Sequence, residues 1–333
     1  MVDYVKLQQG CGGKPTAKLI KEIFYKHFDN DILLQGFDSA LLEIPASHLA
    51  FTTDSFIVKP HFFAGGDIGK LAICGTANDL SVCGAKPLYL SCAVIIEEGF
   101  PLYSLDRIVK SMAKTAEELQ LKIVTGDTKV VQKGWADGIY INTSGIGTII
   151  DSYRPKKIKA GDAIILSGGI GEHGAVVAIE RFGIKSKVSF QSDCTAVFPL
   201  IEQLRAYLGD IKLMKDPTRG GVATALNEIA EYADLGARIY EEAIPIKQEV
   251  KAVCDMLGLD AMYLACEGRA VMVVEGSKAK EILDSLRQLE CGSKAEIIGK
   301  FEDRYNKLVY IENSFGSSRI ISSLEGDLLP RIC

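Results

Sequence analysis

The chain has 333 residues, about twice a common domain length, so two domains are expected. At 47% hydrophobic and 24% charged it lies in the ordinary globular range and has enough apolar residues for a sizeable core. Lys plus Arg total 38 against 43 Asp plus Glu, and this formal charge of -5 argues against a protein that coats nucleic acid or an anionic membrane. No apolar run approaches the roughly 18 residues of a membrane span, and Met1 to Gly10 lacks the basic-then-apolar shape of a signal peptide. A cytoplasmic protein is expected.

Strand and helix patterns alternate along the chain. Residues 16–28 read as a helix opened by Pro15, with Leu19, Ile20, Ile23, Phe24 and His27 on one side. Apolar or β-branched runs predict strands over 41–44, 49–53 and 88–96, and residues 68–83 read as a helix. Leu105, Ile108, Val109, Met112, Ala116 and Leu119 fit a helical face, and strands over 122–125 and 139–150 close the first half. Residues 152–162 are polar, basic and contain Pro and Gly, as an interdomain linker would. A strand over 163–166 follows, then helical stripes at 222–233 and 279–289. Periodicity fades after Tyr310. The expected organisation is an N-terminal domain over 1–154, a second α+β domain over 155–313, and a mobile tail over 314–333. Those last twenty residues can extend up to roughly 60–70 Å.

Nine cysteines are scattered without CxxC spacing, and four histidines (His27, His48, His61, His173) form no zinc-binding pattern. Most of these thiols read as small buried apolar residues. Cys333, the last residue, differs because nothing after it can bury it.

Several acidic residues stand where elements end. Asp38 precedes a predicted strand, Asp54 follows one, Asp127 closes one, and Asp79 interrupts an otherwise apolar helix. Such residues serve local backbone groups, or, gathered round one cleft, a Mg²⁺–nucleotide site in which carboxylates and phosphates share the ion. The segment Gly10-Cys11-Gly12-Gly13-Lys14 fails as a Walker A loop, because Gln8 and Pro15 occupy positions that require Gly and Ser or Thr. It is either a flexible cover for phosphates or a loose N-terminus. Gly65-Gly66-Asp67 and Asp216-Pro217-Thr218-Arg219-Gly220-Gly221 lead into helices, either as anion sites or as capped turns. Gly168-Gly169-Ile170-Gly171 is not GxGxxG, which excludes a Rossmann reading. Glu267 lies between two apolar runs: it is a surface group at a strand end, or a base if half buried near a cleft. A thiol on a C-terminal tail is an accident of sequence, or a nucleophilic carrier of an acyl-type group.

Asp38-Ser39-Ala40, Thr52-Thr53-Asp54, Asn78-Asp79-Leu80 with Gly84-Ala85-Lys86-Pro87, and Thr125-Gly126-Asp127-Thr128 occur together in that order. This set resembles the superfamily of aminoimidazole ribonucleotide synthetase, selenophosphate synthetase and thiamine-monophosphate kinase. Within it the chain is similar to the HypE family of hydrogenase expression/formation proteins, on residues 12–14, 62–71, 124–131 and 216–222 and on Pro330-Arg331-Ile332-Cys333. The resemblance implies an α+β, two-domain PurM-like fold and a homodimer whose first domains share a β-barrel. It implies MgATP in a cleft, with Asp38, Asp54, Asp79 and Asp127 holding Mg²⁺ and phosphates. Lys14 would close over the nucleotide, with Asn78, Thr128 and Arg219 as further contacts. Cys333 would be carbamoylated by a carbamoyltransferase, HypF, and dehydrated to a thiocyanate with ATP. Lys129 would steady the developing oxyanion and Glu267 would take the amide proton. The cyanide would pass to iron on a HypC–HypD complex for [NiFe]-hydrogenase. Two other readings stand beside it: a small-molecule kinase or synthetase of the same superfamily, and a non-catalytic carrier.

Overall fold

The computed structural model describes residues 4–10, 13–35, 40, 42, 48–184 and 190–323. Helix α1 (Gly13–Leu19) runs into a π-helical segment, Ile20–Tyr25, and Leu19, Ile23 and Phe24 turn into the core. The helix expected over 16–28 therefore exists but starts earlier and widens midway. The strand expected over 41–44 falls almost entirely outside the described residues. Next come β1 (Leu49–Phe56), a small hairpin of β2 (Phe62–Phe63) and β3 (Gly66–Asp67), then α2 (Ile68–Val82) and β4 (Ala85–Glu97). Helix α3 (Leu102–Glu118), β5 (Lys122–Val131) and β6 (Ile139–Ile149) complete this half.

Its sheet has the order β1-β6-β4-β5, antiparallel except for the β4–β5 pair. Strand β5 comes very close to β4: a Cβ on Gly126 would lie 2.2 Å from the Cys92 carbonyl oxygen, so only glycine fits there. Both β1 and β5 outrun their predictions, which puts Asp54 and Asp127 inside strands rather than at their ends. Helix α2 covers one face of the sheet and also meets the second half, so it is buried nearly all round. The other face carries exposed Leu49, Phe51 and Ile95, with Phe51 71% exposed.

The second half comprises β7 (Ala163–Leu166), α4 (Glu172–Phe182), α5 (Phe198–Gln203), β8 (Ile211–Lys215), α6 (Gly221–Ala233), β9 (Gly236–Tyr240) and α7 (Gln248–Leu257). It continues with β10 (Val271–Val274), α8 (Ala279–Leu286), β11 (Glu296–Glu302), β12 (Val309–Glu312) and β13 (Ser318–Ile321). These strands form a seven-stranded sheet in the order β13-β12-β9-β11-β7-β10-β8. Strands β7 and β10 are apolar at every position because both faces are covered. Ile164, Leu166, Val271 and Val273 enter one core with α6, while Ala163, Ile165, Met272 and Val274 enter another with α8.

The stretch over 152–162, expected as an interdomain linker, lacks strands and packs against its neighbours. Tyr153 is buried, and a Cβ on Gly84 would lie 2.2 Å from its ring. The tail expected from 314 begins with structure, since Ser318–Ile321 pairs with β12. Only Ile321 of that strand is buried, so backbone pairing holds it without an apolar alternation to announce it. Among the described residues no helix is long and apolar enough to cross a membrane.

Candidate active site

The site lies where α2 meets the loops of the second half. Asp67 caps α2, accepting from the N–H groups of Gly69 at 2.8 Å and Lys70 at 3.1 Å. That helix end is filled by its own residue, so Gly65-Gly66-Asp67 is a capped turn. Near the other end of α2, Asn78 and Asp79 bring polar groups into apolar surroundings. Asn78, expected at the nucleotide, donates to the Thr195 carbonyl at 3.0 Å and the Glu267 carbonyl at 3.2 Å, and accepts from Val197 N–H at 2.8 Å. Its amide holds the Glu267 segment in place instead of presenting itself to a ligand.

Asp79 accepts from the Thr52 hydroxyl at 2.8 Å, and Asp54 from the Ser55 N–H at 2.8 Å. Burial raises the pKa of both, and the Asp54 charge adds to the rise at Asp79. Asp216, which ends the β8 side of the cleft, is pushed up to about 7 by burial and then by Asp79. Arg219 opposes the rise at Asp54 and Asp79. It lines a cavity of about 310 Å³ with Lys215, Asp216, Thr218 and Thr224. The sequence marks Asp216 only as the start of a glycine-rich turn; in the fold its carboxylate joins this acidic group, and Gly220 precedes α6 in a left-handed conformation without a side-chain cap.

Glu267 is 2% exposed, and its Oε1 is buried without a hydrogen-bond partner. Burial, followed by the charges of Asp193, Asp216 and Asp54, holds its pKa well above the usual carboxylate range. The strand-end surface reading is therefore wrong, and the buried-base reading has its geometry. Asp193 is a neighbour that no sequence pattern marked.

The sheet register divides the remaining acids. Asp54 stands opposite Thr143, Thr143 opposite Cys92, and Cys92 opposite Gly126. Asp127 belongs to the next row, with Ala93, Asn142 and Ser55. Successive strand residues point to opposite faces, so Asp127 projects from the sheet face opposite to Asp54. Lys129, opposite exposed Ile95, shares that open face. Three strand spacings also separate Asp127 from Asp54, roughly 14 Å. Within one chain these two acids do not share an ion. Thr128 and Asp127 line a cavity of about 200 Å³ with Thr16, Phe24 and Cys92. Among the described residues no three metal-ligating side chains converge on one point. Lys14 stands in the first turn of α1, while Asp38 and Cys333 lie outside the described residues.

Comparison with known proteins then becomes decisive. Residues 36–149 match the AIR synthase related protein N-terminal domain, and residues 159–311 its C-terminal domain. A carbamoyl dehydratase HypE from Rhizobium leguminosarum bv. viciae is 45% identical, over 99% of this chain and 95% of its own length. The chain belongs to the carbamoyl dehydratase HypE family. A hydrogenase maturation protein HypE solved in complex with ATP superposes with a TM-score of 0.95 at 42% identity, over 98% of this chain and 99% of that one. Another HypE, solved in a HypE–HypF complex, gives 0.81 at 48% identity, over 92% and 99%. Thiamine monophosphate kinase from Aquifex aeolicus, at 16% identity and a TM-score of 0.61 over 84% and 90%, shares the fold. The expected α+β, PurM-like architecture of two AIR synthase domains is thus the fold of this HypE family member. Of its cysteines, Cys74, Cys92, Cys194, Cys254 and Cys266 are buried, Cys83 is exposed and Cys291 is intermediate, all as free thiols.

Proposed function

We propose that this chain dehydrates a carbamoyl group carried on Cys333 to a thiocyanate, using MgATP. The observation that carries the reading is Glu267, a buried carboxylate with an unpartnered oxygen beside an acidic cleft. Family membership and the ATP complex of a 42% identical HypE support it.

An amide oxygen is a poor leaving group. Transfer of the γ-phosphoryl group to the Cys333 carboxamide oxygen turns it into phosphate, which leaves as the C≡N bond forms. One nitrogen proton passes to water as the oxygen is phosphorylated, and Glu267 takes the second as phosphate departs; the raised pKa of this carboxyl suits it to hold that proton. Asp54 and Asp79 fit a divalent cation, because burial and mutual repulsion penalise their unneutralised charges. Mg²⁺ held there would neutralise charge on the phosphates. Asp38 and Lys14 are proposed to join from the N-terminal side, with Thr128 and Arg219 as nucleotide contacts.

The open sheet face is proposed to pair with its copy in a homodimer. Asp127 and Lys129 stand on that face, so the proposed roles of Asp127 at the metal and Lys129 at the oxyanion require the second copy's cleft. Phe51→Glu is expected to shift sedimentation from dimer to monomer and to lower dehydration with it; an unchanged dimer would reject this face. A cytoplasmic carbamoyltransferase of the HypF type is proposed as carbamoyl donor, in keeping with the solved HypE–HypF complex, and a HypC–HypD complex as cyanide acceptor.

Intact-mass spectrometry on carbamoylated protein tests the reaction, with Cys333→Ala controlling for carbamoylated lysines. Loss of one water that depends on both ATP and Cys333 is expected. ATP hydrolysis at unchanged mass would favour a small-molecule kinase. No hydrolysis and no mass change would favour a non-catalytic carrier.

A further inference from the structure

The end of β13 is gripped by two side chains. Asn227 Nδ2 donates to the Ile321 carbonyl at 2.9 Å, and the Tyr263 hydroxyl donates to the Ser322 carbonyl at 3.0 Å. The β12–β13 ladder covers Ser318–Ile321, so the bond to Ser322 lies beyond what sheet pairing needs. Asn227 is fixed in turn, since its Nδ2 also donates to the Ala223 carbonyl at 2.8 Å. Asp260 steadies the turn that carries Tyr263, accepting from Met262 N–H at 2.9 Å while pairing with Arg319 of β13 at 3.3 Å.

Both gripping residues belong to elements that lead directly into the site. Asn227 sits on α6, whose first turn follows Arg219, and Tyr263 ends the short helical turn Ala261–Tyr263, just ahead of Glu267. We propose that Asn227 and Tyr263 are positioning residues that fasten the root of the C-terminal segment to the elements bearing Arg219 and Glu267, and so set the distance Cys333 must cover. The inference rests on the reading that Cys333 carries the reacting group.

Chain geometry bounds that distance. Tyr263 to Glu267 is at most about 14 Å along the backbone, and the tyrosine side chain with its hydrogen bond adds roughly 10 Å. The root at Ser322 is therefore within about 24 Å of the Glu267 backbone. Residues 324–333 reach up to about 33–36 Å, enough to cover that span with at least about 9–12 Å to spare. A tether matched to its span gives the highest effective concentration, and unneeded length dilutes it.

The test removes residues one at a time from 324–329, keeping Pro330 to Cys333, and finds the shortest carbamoylated chain that still loses water with MgATP. The series is made with the clamp intact and with Asn227→Ala/Tyr263→Phe. Releasing the clamp frees root residues, so the variant is expected to tolerate tails at least two residues shorter. Rescue by removal of three hydrogen bonds, two of them to the segment's root, is something a merely stabilising role would not give. Equal thresholds would overturn the clamp alone, whereas failure of the unsubstituted chain to lose water would overturn both readings. As a second measurement, an S-carbamoylated peptide of residues 324–333 is supplied to Cys333→Ala chains. The clamp variant is expected to dehydrate it at least as fast as the clamp-intact chain. A slower reaction would mean that the substitutions damage the cleft, and would overturn the tether role.

Discussion

Glu267→Gln is expected to slow dehydration of carbamoylated Cys333 by about 10²–10⁴-fold, the usual contribution of a positioned general base, while ATP binding is retained. Gln keeps the shape and fills the same site, so the segment held by Asn78 keeps its backbone bonds to the Glu267 position. What disappears is the capacity to accept the amide proton. In its proposed role Glu267 works only when ionised, and burial with the Asp193 and Asp216 charges raises its pKa. The rate of the unsubstituted chain should therefore climb as pH rises through that raised value, and the residual rate of the variant should lack this limb. Stability moves the other way. A carboxyl whose folded pKa lies above its unfolded value contributes fully below the unfolded value and loses that contribution as pH rises through the folded one. At neutral pH the Gln variant should thus melt no lower than the parent. Single-turnover mass spectrometry and a thermal melt across pH check both parts. Full activity would sink the base assignment, and joint loss of activity and melting temperature would point to damaged structure.

How far the sequence could be read depended on what each residue's role requires. Helix α2 was legible because, after Lys70, an apolar run broken only by small residues, Asn78 and Asp79 suits a helix buried on most sides. Strand β7 was legible as a short apolar run, and Glu267 stood out between two apolar runs. What escaped was whatever depends on pairing. The face on which Asp127 lies is decided by a register offset of one residue between β4 and β5, which no local pattern records. Within one chain, grouping Asp127 with Asp54 and Asp79 therefore joined residues that the fold puts on opposite sides of a sheet. Asn78 looked like a ligand contact because its neighbours match a family motif, yet its hydrogen bonds run to loops more than a hundred residues away. Asp216 was visible in its motif, but its perturbation comes first from burial and then from Asp79, with a smaller push from Asp54, both on the other half of the molecule.

That last perturbation gives the second large effect. Asp216→Asn is expected to stabilise the chain without nucleotide, by an amount that grows with pH. The Asp216 pKa is raised from 3.8 to about 7, with burial as the largest cause and Asp79 next. Below about pH 4 the carboxyl is neutral in folded and unfolded chains alike, and its contribution is fully present. Between the two values only the unfolded chain ionises freely, so stability drains away until pH passes about 7. A rise of that size corresponds to about 4 kcal/mol, and partial solvent access at this cleft residue lowers the expected gain to ~2–4 kcal/mol at slightly alkaline pH. Urea unfolding of parent and variant from about pH 4 to 8 would measure the gap, which should be near zero at the acid end and level off above 7. Adding MgATP should shrink it, because positive charge beside Asp54 and Asp79 offsets the repulsion that Asp216 feels. A gap independent of pH would mean that Asp216 titrates normally and that the three carboxylates do not act on one another. A gap that grows with pH but ignores MgATP would keep the acidic cluster and move the nucleotide elsewhere.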